Sequence, residues 1–176
     1  MIKTIFLVIA AAIAGVLVYA AMQPDSFAVQ RSITIAAPPE RVHGLIDDFK
    51  RWSEWSPWEK LDPALKRTHS GAPSGKGAVY AWEGNKDVGS GRMEVTDSVA
   101  PGKVVIKLDF IQPFEAHNIT EFTLAPQAGG TQVTWKMQGP SPYVTKLMRV
   151  FVSMDKMVGK DFEAGLANMK AVAEKP

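Results

Sequence analysis

The chain opens on an apolar run that no charge interrupts. Thr4 to Pro24 carry none, and the apolar heart, Ile5 to Met22, is 18 residues long. As a helix that stretch spans about 27 Å, close to the thickness of a bilayer core of about 30 Å. Lys3 and the amino terminus give it a positive flank, and Asp25 is the first charge beyond it. That asymmetry favours the N-terminus inside and the remainder outside. Val18-Tyr19-Ala20 offers a small-residue cleavage site, so a removed signal segment is the alternative. The apolar core of such signals is usually about 7–15 residues, shorter than this run. Either reading exports the rest. Residues 1–23 are thus read as an anchor or signal segment, and 24–176 as one domain. A retained anchor makes residues 4–22 a membrane contact, with the domain facing the periplasm or cell exterior of a bacterium. Only Gln23 to Ser26 then separate the bilayer edge from the domain, a reach of roughly 14 Å.

After the leader the hydrophobic period changes. Phe27 to Ile35 alternates loosely and predicts a strand. Ala37-Pro38-Pro39-Glu40 starts a helix whose apolar stripe is Val42, Leu45, Ile46 and Phe49. Trp52 and Trp55 lie three apart and share a face if they sit on a helical turn, which Pro57 ends. Six further strands are predicted: Lys66–His69, Gly77–Glu83, Ser90–Ser98, Lys103–Ile111, Ala116–Ala125 and Thr131–Gln138. The short turns between them require antiparallel hairpins. Val104, Ile106, Leu108 and Phe110 share one face; Lys107 and Asp109 share the other. A single long helix is expected from Tyr143 to Ala173, its stripe running through Val144, Leu147, Met148, Phe151, Met154, Val158, Phe162, Leu166 and Met169. At roughly 45 Å it needs a broad support. The sheet is the candidate.

Composition adds exclusions. The chain is 46% hydrophobic and 22% charged, ordinary for a globular domain. With Lys3 set aside, 19 basic residues face 18 acidic ones, and no basic run marks a nucleic-acid partner. The absence of cysteine excludes disulfides, thiolate metal sites and cysteine nucleophiles. The glycines of Gly89-Ser90-Gly91 and Gly71–Gly77 read as turn residues, since neither run opens a helix or precedes Gly-Lys-Ser/Thr. Asn118-Ile119-Thr120 matches a glycosylation sequon but falls inside a predicted strand.

The order of strand, short helices, antiparallel strands and long helix resembles the START-like, Bet v 1-like superfamily. In particular it is similar to bacterial SRPBCC proteins of the polyketide cyclase/dehydrase group. The resemblance runs from about Phe27 to the C-terminus. It rests on Arg31-Ser32-Ile33-Thr34-Ile35 with Ala37-Pro38-Pro39-Glu40-Arg41-Val42, on Trp52-Ser53-Glu54-Trp55-Ser56-Pro57-Trp58, and on Gly129-Gly130-Thr131-Gln132-Val133-Thr134-Trp135. It implies an α+β helix-grip fold: a curved antiparallel sheet wrapped around a long C-terminal helix, here preceded by a transmembrane helix. It also implies a largely apolar cavity between sheet and helix. It does not imply one activity, because the superfamily holds lipid carriers, hormone receptors, aromatase/cyclases and hydroxylase components. A hydroxylase component needs Rieske-type cysteines, which this chain lacks.

Candidate ligand-lining residues are Trp52, Trp55, Trp58, Tyr80, Trp82, Phe110, His117, Trp135, Phe151 and Met154. Large aromatics with a few polar groups are the usual walls of a small-molecule pocket, and equally the usual filling of a core. Methionine suits both. No catalytic residue, metal site or cofactor is assigned. His43 reads as a surface residue of the first helix, His69 ends a strand and His117 begins one. Glu121 reads as solvent-facing, because Phe122 and Leu124 claim the inner face. Three functions stay open: binding of an apolar or amphipathic small molecule or lipid, acid–base catalysis on a polyketide-like substrate, and a protein-interaction domain with a vestigial pocket.

Overall fold

In the computed structural model, which describes residues 2–175, the apolar leader is a continuous helix, α1 (Ile2–Ala21). It carries no charge beyond Lys3, and nearly all of its residues are free of the domain. Length and hydropathy suit a membrane span, and a signal sequence passes the same test.

The domain begins with β1 (Ser26–Ile35) and continues through β2 (Lys66–Gly71), β3 (Ala78–Glu83), β4 (Ser90–Val99), β5 (Lys103–Gln112), β6 (Ala116–Gln127) and β7 (Gly130–Pro140). These form one seven-stranded sheet in the order β1-β7-β6-β5-β4-β3-β2, antiparallel throughout. Alternation fixes which face is inner. Ala78, Tyr80 and Trp82 of β3 point inward. So do Val104 and Ile106 of β5, Phe122 and Leu124 of β6, and Val133, Trp135 and Met137 of β7. Glu121 stands on the opposite face, as its buried neighbour Phe122 requires. The edge strand β2 is exposed along its whole length and carries Lys66 and Arg67; charge of this kind discourages edge-to-edge pairing.

The hairpins place two ends on the sheet. At one end lie the start of β1, the end of β7, the β5–β6 turn and the β3–β4 loop, since Ser26 pairs with Pro140, Phe110 with Ala116, and Glu83 with Ser90. This is the end at which α1 joins, and it is called here the tether end.

Between β1 and β2 run α2 (Pro39–Asp47) and α3 (Trp52–Trp55), with short 3₁₀ turns at Phe49–Arg51 and Pro57–Lys60. The paired tryptophans have a structural task. A helix leaves its last carbonyls without intrahelical donors. In α2 the Leu45 carbonyl accepts from Trp55 Nε1 and the Ile46 carbonyl from Trp52 Nε1, both at 2.9 Å. The indoles thus cap α2 and fill the space beneath it. His43 departs from its expected surface position: it is only 6% exposed, with Nε2 3.3 Å from the Ser98 hydroxyl on β4. Helix α2 packs against β5, β6, β7 and α5 and reaches Ser98 of β4, so its histidine face is covered too.

The expected single helix is two. α4 (Tyr143–Phe151) ends at an extended Val152, and α5 (Met154–Ala173) starts afresh. Ser153 caps α5 by accepting from the Lys156 amide at 3.3 Å. A serine N-cap inside an unbroken apolar periodicity is the signal for this joint. The gripped helix is therefore about 30 Å long rather than 45 Å. Two glycines let α5 press onto the sheet. A Cβ at Gly165 would sit 2.8 Å from the Trp135 ring, and one at Gly159 would collide with the Arg31 guanidinium. Arg31 in turn bridges to Glu163 at 2.6 Å and Asp155 at 2.9 Å, pinning the start of α5 to β1.

Trp55 offers a direct test of the capping account. Trp55→Phe keeps most of the ring but strands the Leu45 carbonyl, an expected loss of about 1–3 kcal/mol. Trp55→Ala adds a cavity, for about 3–5 kcal/mol. Urea midpoints measure both, and equal midpoints for Trp55→Phe and wild type would refute the capping role.

Candidate ligand-binding cavity

Sheet and α5 do not close completely. A cavity of about 280 Å³ remains between the inner faces of β3–β7, the Pro57–Lys60 turn and the N-terminal half of α5. Its walls are mostly apolar: Trp52, Trp58, Trp82, Phe110, Trp135 and Phe162 supply the rings, and Leu108, Met93, Met137, Met157 and Val158 complete the surface. It occupies the half of the sheet nearer the tether end, where Val88 of the β3–β4 loop and Phe110 near the end of β5 border it.

The floor is an aromatic stack. Trp135 lies on Phe162 of α5 with centroids 4.0 Å apart and planes within 8°, and beside Phe122 at 4.8 Å. Trp55 and Trp58 meet the same indole edge-on at 5.6 and 5.9 Å. Among the described residues no group accepts the Trp135 Nε1 hydrogen, although the residue is buried. An unsatisfied buried donor costs about 1–3 kcal/mol. On β3, Trp82 covers Gly91 of β4, and any side chain at Gly91 would collide with the indole. Only glycine there lets Trp82 lie flat against the wall.

Few polar groups reach this space. Tyr80 donates its hydroxyl to Glu59 Oε1 at 2.5 Å, and Arg67 Nε bonds Glu59 Oε2 at 2.6 Å. Burial, then the bond to Glu59, pushes the Tyr80 phenol well above its ordinary pKa, so it stays a neutral donor. Glu59 is committed to Arg67 and Tyr80 and holds the turn against β2 and β3. Asp161 of α5 also borders the cavity, and burial raises its pKa above the ordinary aspartate value despite Lys160 nearby. Ser56 and Thr120 complete the polar lining. Among the described residues no group of three His, Asp or Glu is arranged to hold a metal ion.

Of the residues singled out in the sequence, Trp52, Trp58, Tyr80, Trp82, Phe110 and Trp135 come together around this cavity. Trp55 packs one layer behind, fully buried. Met154 packs against the core outside the lining set. Two residues lie elsewhere. His117 stands on the outer face of β6, where Asp109 accepts from its ring at 2.7 Å and raises its pKa. Phe151 is 73% exposed on α4, because the helix break at Val152 turns α4 away from the sheet. Sequence reasoning missed Glu59, Asp161 and the methionines Met93 and Met137. For Met93 and Met137 the strand alternation was available; for Asp161 nothing marked it among the other charges of α5.

The family assignment rests on the sequence of this domain. Residues 26–174 match the model of the polyketide cyclase/dehydrase and lipid transport family, and the chain belongs to that family. No curated protein matches the sequence. Solved structures share the fold at low identity. Protein CV1439 from Chromobacterium violaceum is similar over 88% of this chain and 100% of its own, with 16% identity and a TM-score of 0.60. The di-domain ARO/CYC BexL of the BE-7585A biosynthetic pathway is similar over 90% of this chain, with 14% identity and a TM-score of 0.64; the match takes in 53% of that protein. The Aha1 dimer from Colwellia psychrerythraea is similar over 84% of this chain and 96% of its own, with 13% identity and a TM-score of 0.60.

Asp161 gives the cavity wall a pH signature. A raised folded-state pKa means that the native protein holds this proton more tightly than the unfolded chain. Its contribution to stability therefore falls as pH rises from the ordinary aspartate value through the raised one. Asp161→Asn removes that loss. Relative to wild type, the variant's urea midpoint is expected to gain as pH rises above the ordinary aspartate pKa. A difference that stays constant over that rise would show that Asp161 is solvated in the folded state.

Proposed function

We propose that the domain binds one small apolar or amphipathic molecule between its sheet and α5, and is held at a membrane by α1. The observation that carries this reading is the unfilled, aromatic- and methionine-walled cavity with only a few polar groups on its rim. At about 280 Å³ it lies just below the usual range for small-molecule sites, roughly 300–1,000 Å³. That volume favours a compact ring system or a single short chain over a two-chain lipid. The polar groups suit a ligand with one polar end. The leader's charge asymmetry supports an anchor with its N-terminus in the cytoplasm and the domain facing the periplasm or cell exterior; a cleaved signal is the competing fate of α1.

Filling the cavity tests the reading. Leu108→Trp is expected to weaken binding of 1-anilinonaphthalene-8-sulfonate by about tenfold or more. Thr123→Trp, on the outer face of β6, should leave it unchanged. Equal weakening by both variants, or by neither, places the probe outside the cavity and defeats the proposal.

A second reading is favoured by one observation: the Asp161 carboxyl and the Tyr80 hydroxyl border the same cavity. They allow acid–base chemistry on a bound molecule. Mass spectrometry of the species extracted from wild type and Asp161→Asn separates the two readings. Identical species support binding alone; a different, unconverted species in the variant supports catalysis.

A further inference from the structure

Helix α4 is turned inside out for a protein surrounded by water. Its apolar side chains Val144, Met148 and Phe151 step by four and three along one face, and that face is outward: Val144 is 66% exposed and Met148 53%. Its cations point the other way. Lys146 is buried and reaches Asp25 in the tether at 2.5 Å, and Arg149 bonds Ser141 Oγ at 3.2 Å and the Ser26 carbonyl at 3.5 Å. A water-facing helix buries its apolar stripe and solvates its charges. Here the lysine is inside and the phenylalanine outside.

The position of α4 names the surroundings that suit this arrangement. It packs against the C-terminal end of α1, and Tyr143 donates its hydroxyl to the Leu17 carbonyl at 3.0 Å. Leu17 lies four residues before the last residue of α1, about 6 Å along the helix axis. If α1 spans a bilayer, the Tyr143 hydroxyl is therefore below the level at which the helix ends. Interfacial helices seat their apolar faces about 5–10 Å deep. The Asp25–Lys146 pair and the Ser141 amide, which donates to the Asp25 carbonyl at 2.7 Å, lock tether and α4 together. A second apolar feature shares this end of the sheet. The end of β5 and the β5–β6 turn present Ile111 and Phe114, exposed by 60% and 71%. β6 is two strands from β1, which puts the turn about 10 Å to the side.

From these observations we infer that α4 and the Phe114 turn form a lipid-seated platform. The domain rests on the bilayer by its tether end, with the apolar face of α4 embedded in the interfacial layer. The inference rests on α1 being held in a membrane. It has a consequence for the cavity, which lies in the same half of the sheet and is bordered by Met157, 52% exposed, within the first turn of α5. A ligand partitioned into the outer lipid layer would approach the domain from this same half.

The chain has no cysteine, so single cysteines label it cleanly. Val144→Cys, Phe151→Cys and Phe114→Cys are each labelled with an NBD fluorophore in the full chain. The protein is reconstituted into vesicles of phosphatidylcholine and phosphatidylglycerol, with or without doxyl-labelled phosphatidylcholine. Ile9→Cys in α1 reports the span, and Thr123→Cys on the outer face reports water. Blue-shifted emission at positions 144, 151 and 114, with most of it lost to the doxyl lipid, is the expected result. If Ile9 is quenched while the three platform positions behave like Thr123, the platform is refuted and the anchor stands. If Ile9 is not quenched, anchor and platform fall together, while probe binding in the cavity is unaffected. Blue-shifted labels that the doxyl lipid does not quench show a protein partner or a second copy on this face, and overturn the inference.

Discussion

The contact between Trp135 and Phe162 is the point at which sheet and helix are joined. The two rings lie flat on each other at 4.0 Å, and Gly165 allows α5 to come that close. Everything around this contact is arranged by its geometry. Phe122 and Trp55 close it on the side of α2, where the interior is solid. On the other side β3 to β5 curve away from α5, and the space left is the cavity. The grip is therefore asymmetric. One half of the sheet–helix interface stabilises the fold, and the other half is free to hold something.

The tryptophans divide along the same line. Trp52 and Trp55 hydrogen-bond α2 carbonyls and belong first to the architecture. Trp58, Trp82 and Trp135 present ring surface to the void. In the sequence all five look alike. Spacing showed that Trp52 and Trp55 share a face but not that their indole nitrogens point at a neighbouring helix end, because that depends on the turn at Phe49–Arg51. Similarly, the apolar period of residues 143–169 is continuous across Val152 and Ser153. It concealed the break, since hydrophobic spacing reports a face and not a backbone direction. The strands were legible almost to the residue, because alternation and turn chemistry are local. The burial of His43 and the placement of Asp161 were not, because both are settled by elements far away in sequence.

In this member of the polyketide cyclase/dehydrase and lipid transport family, frame and walls make different demands on the sequence. The frame here needs small residues at close approaches, namely Gly91 under Trp82 and Gly165 under Trp135, and a charge clamp at Arg31. The walls need only bulk and low polarity. Glu59 stands at the boundary between the two: its carboxylate holds Arg67 and Tyr80 in place and also faces the cavity.

Four of the five indoles border one small void, and the fifth lies 5.6 Å from Trp135. The protein's near-ultraviolet emission therefore arises from rings on or beside the cavity wall, and occupancy there would be written into it without any added label.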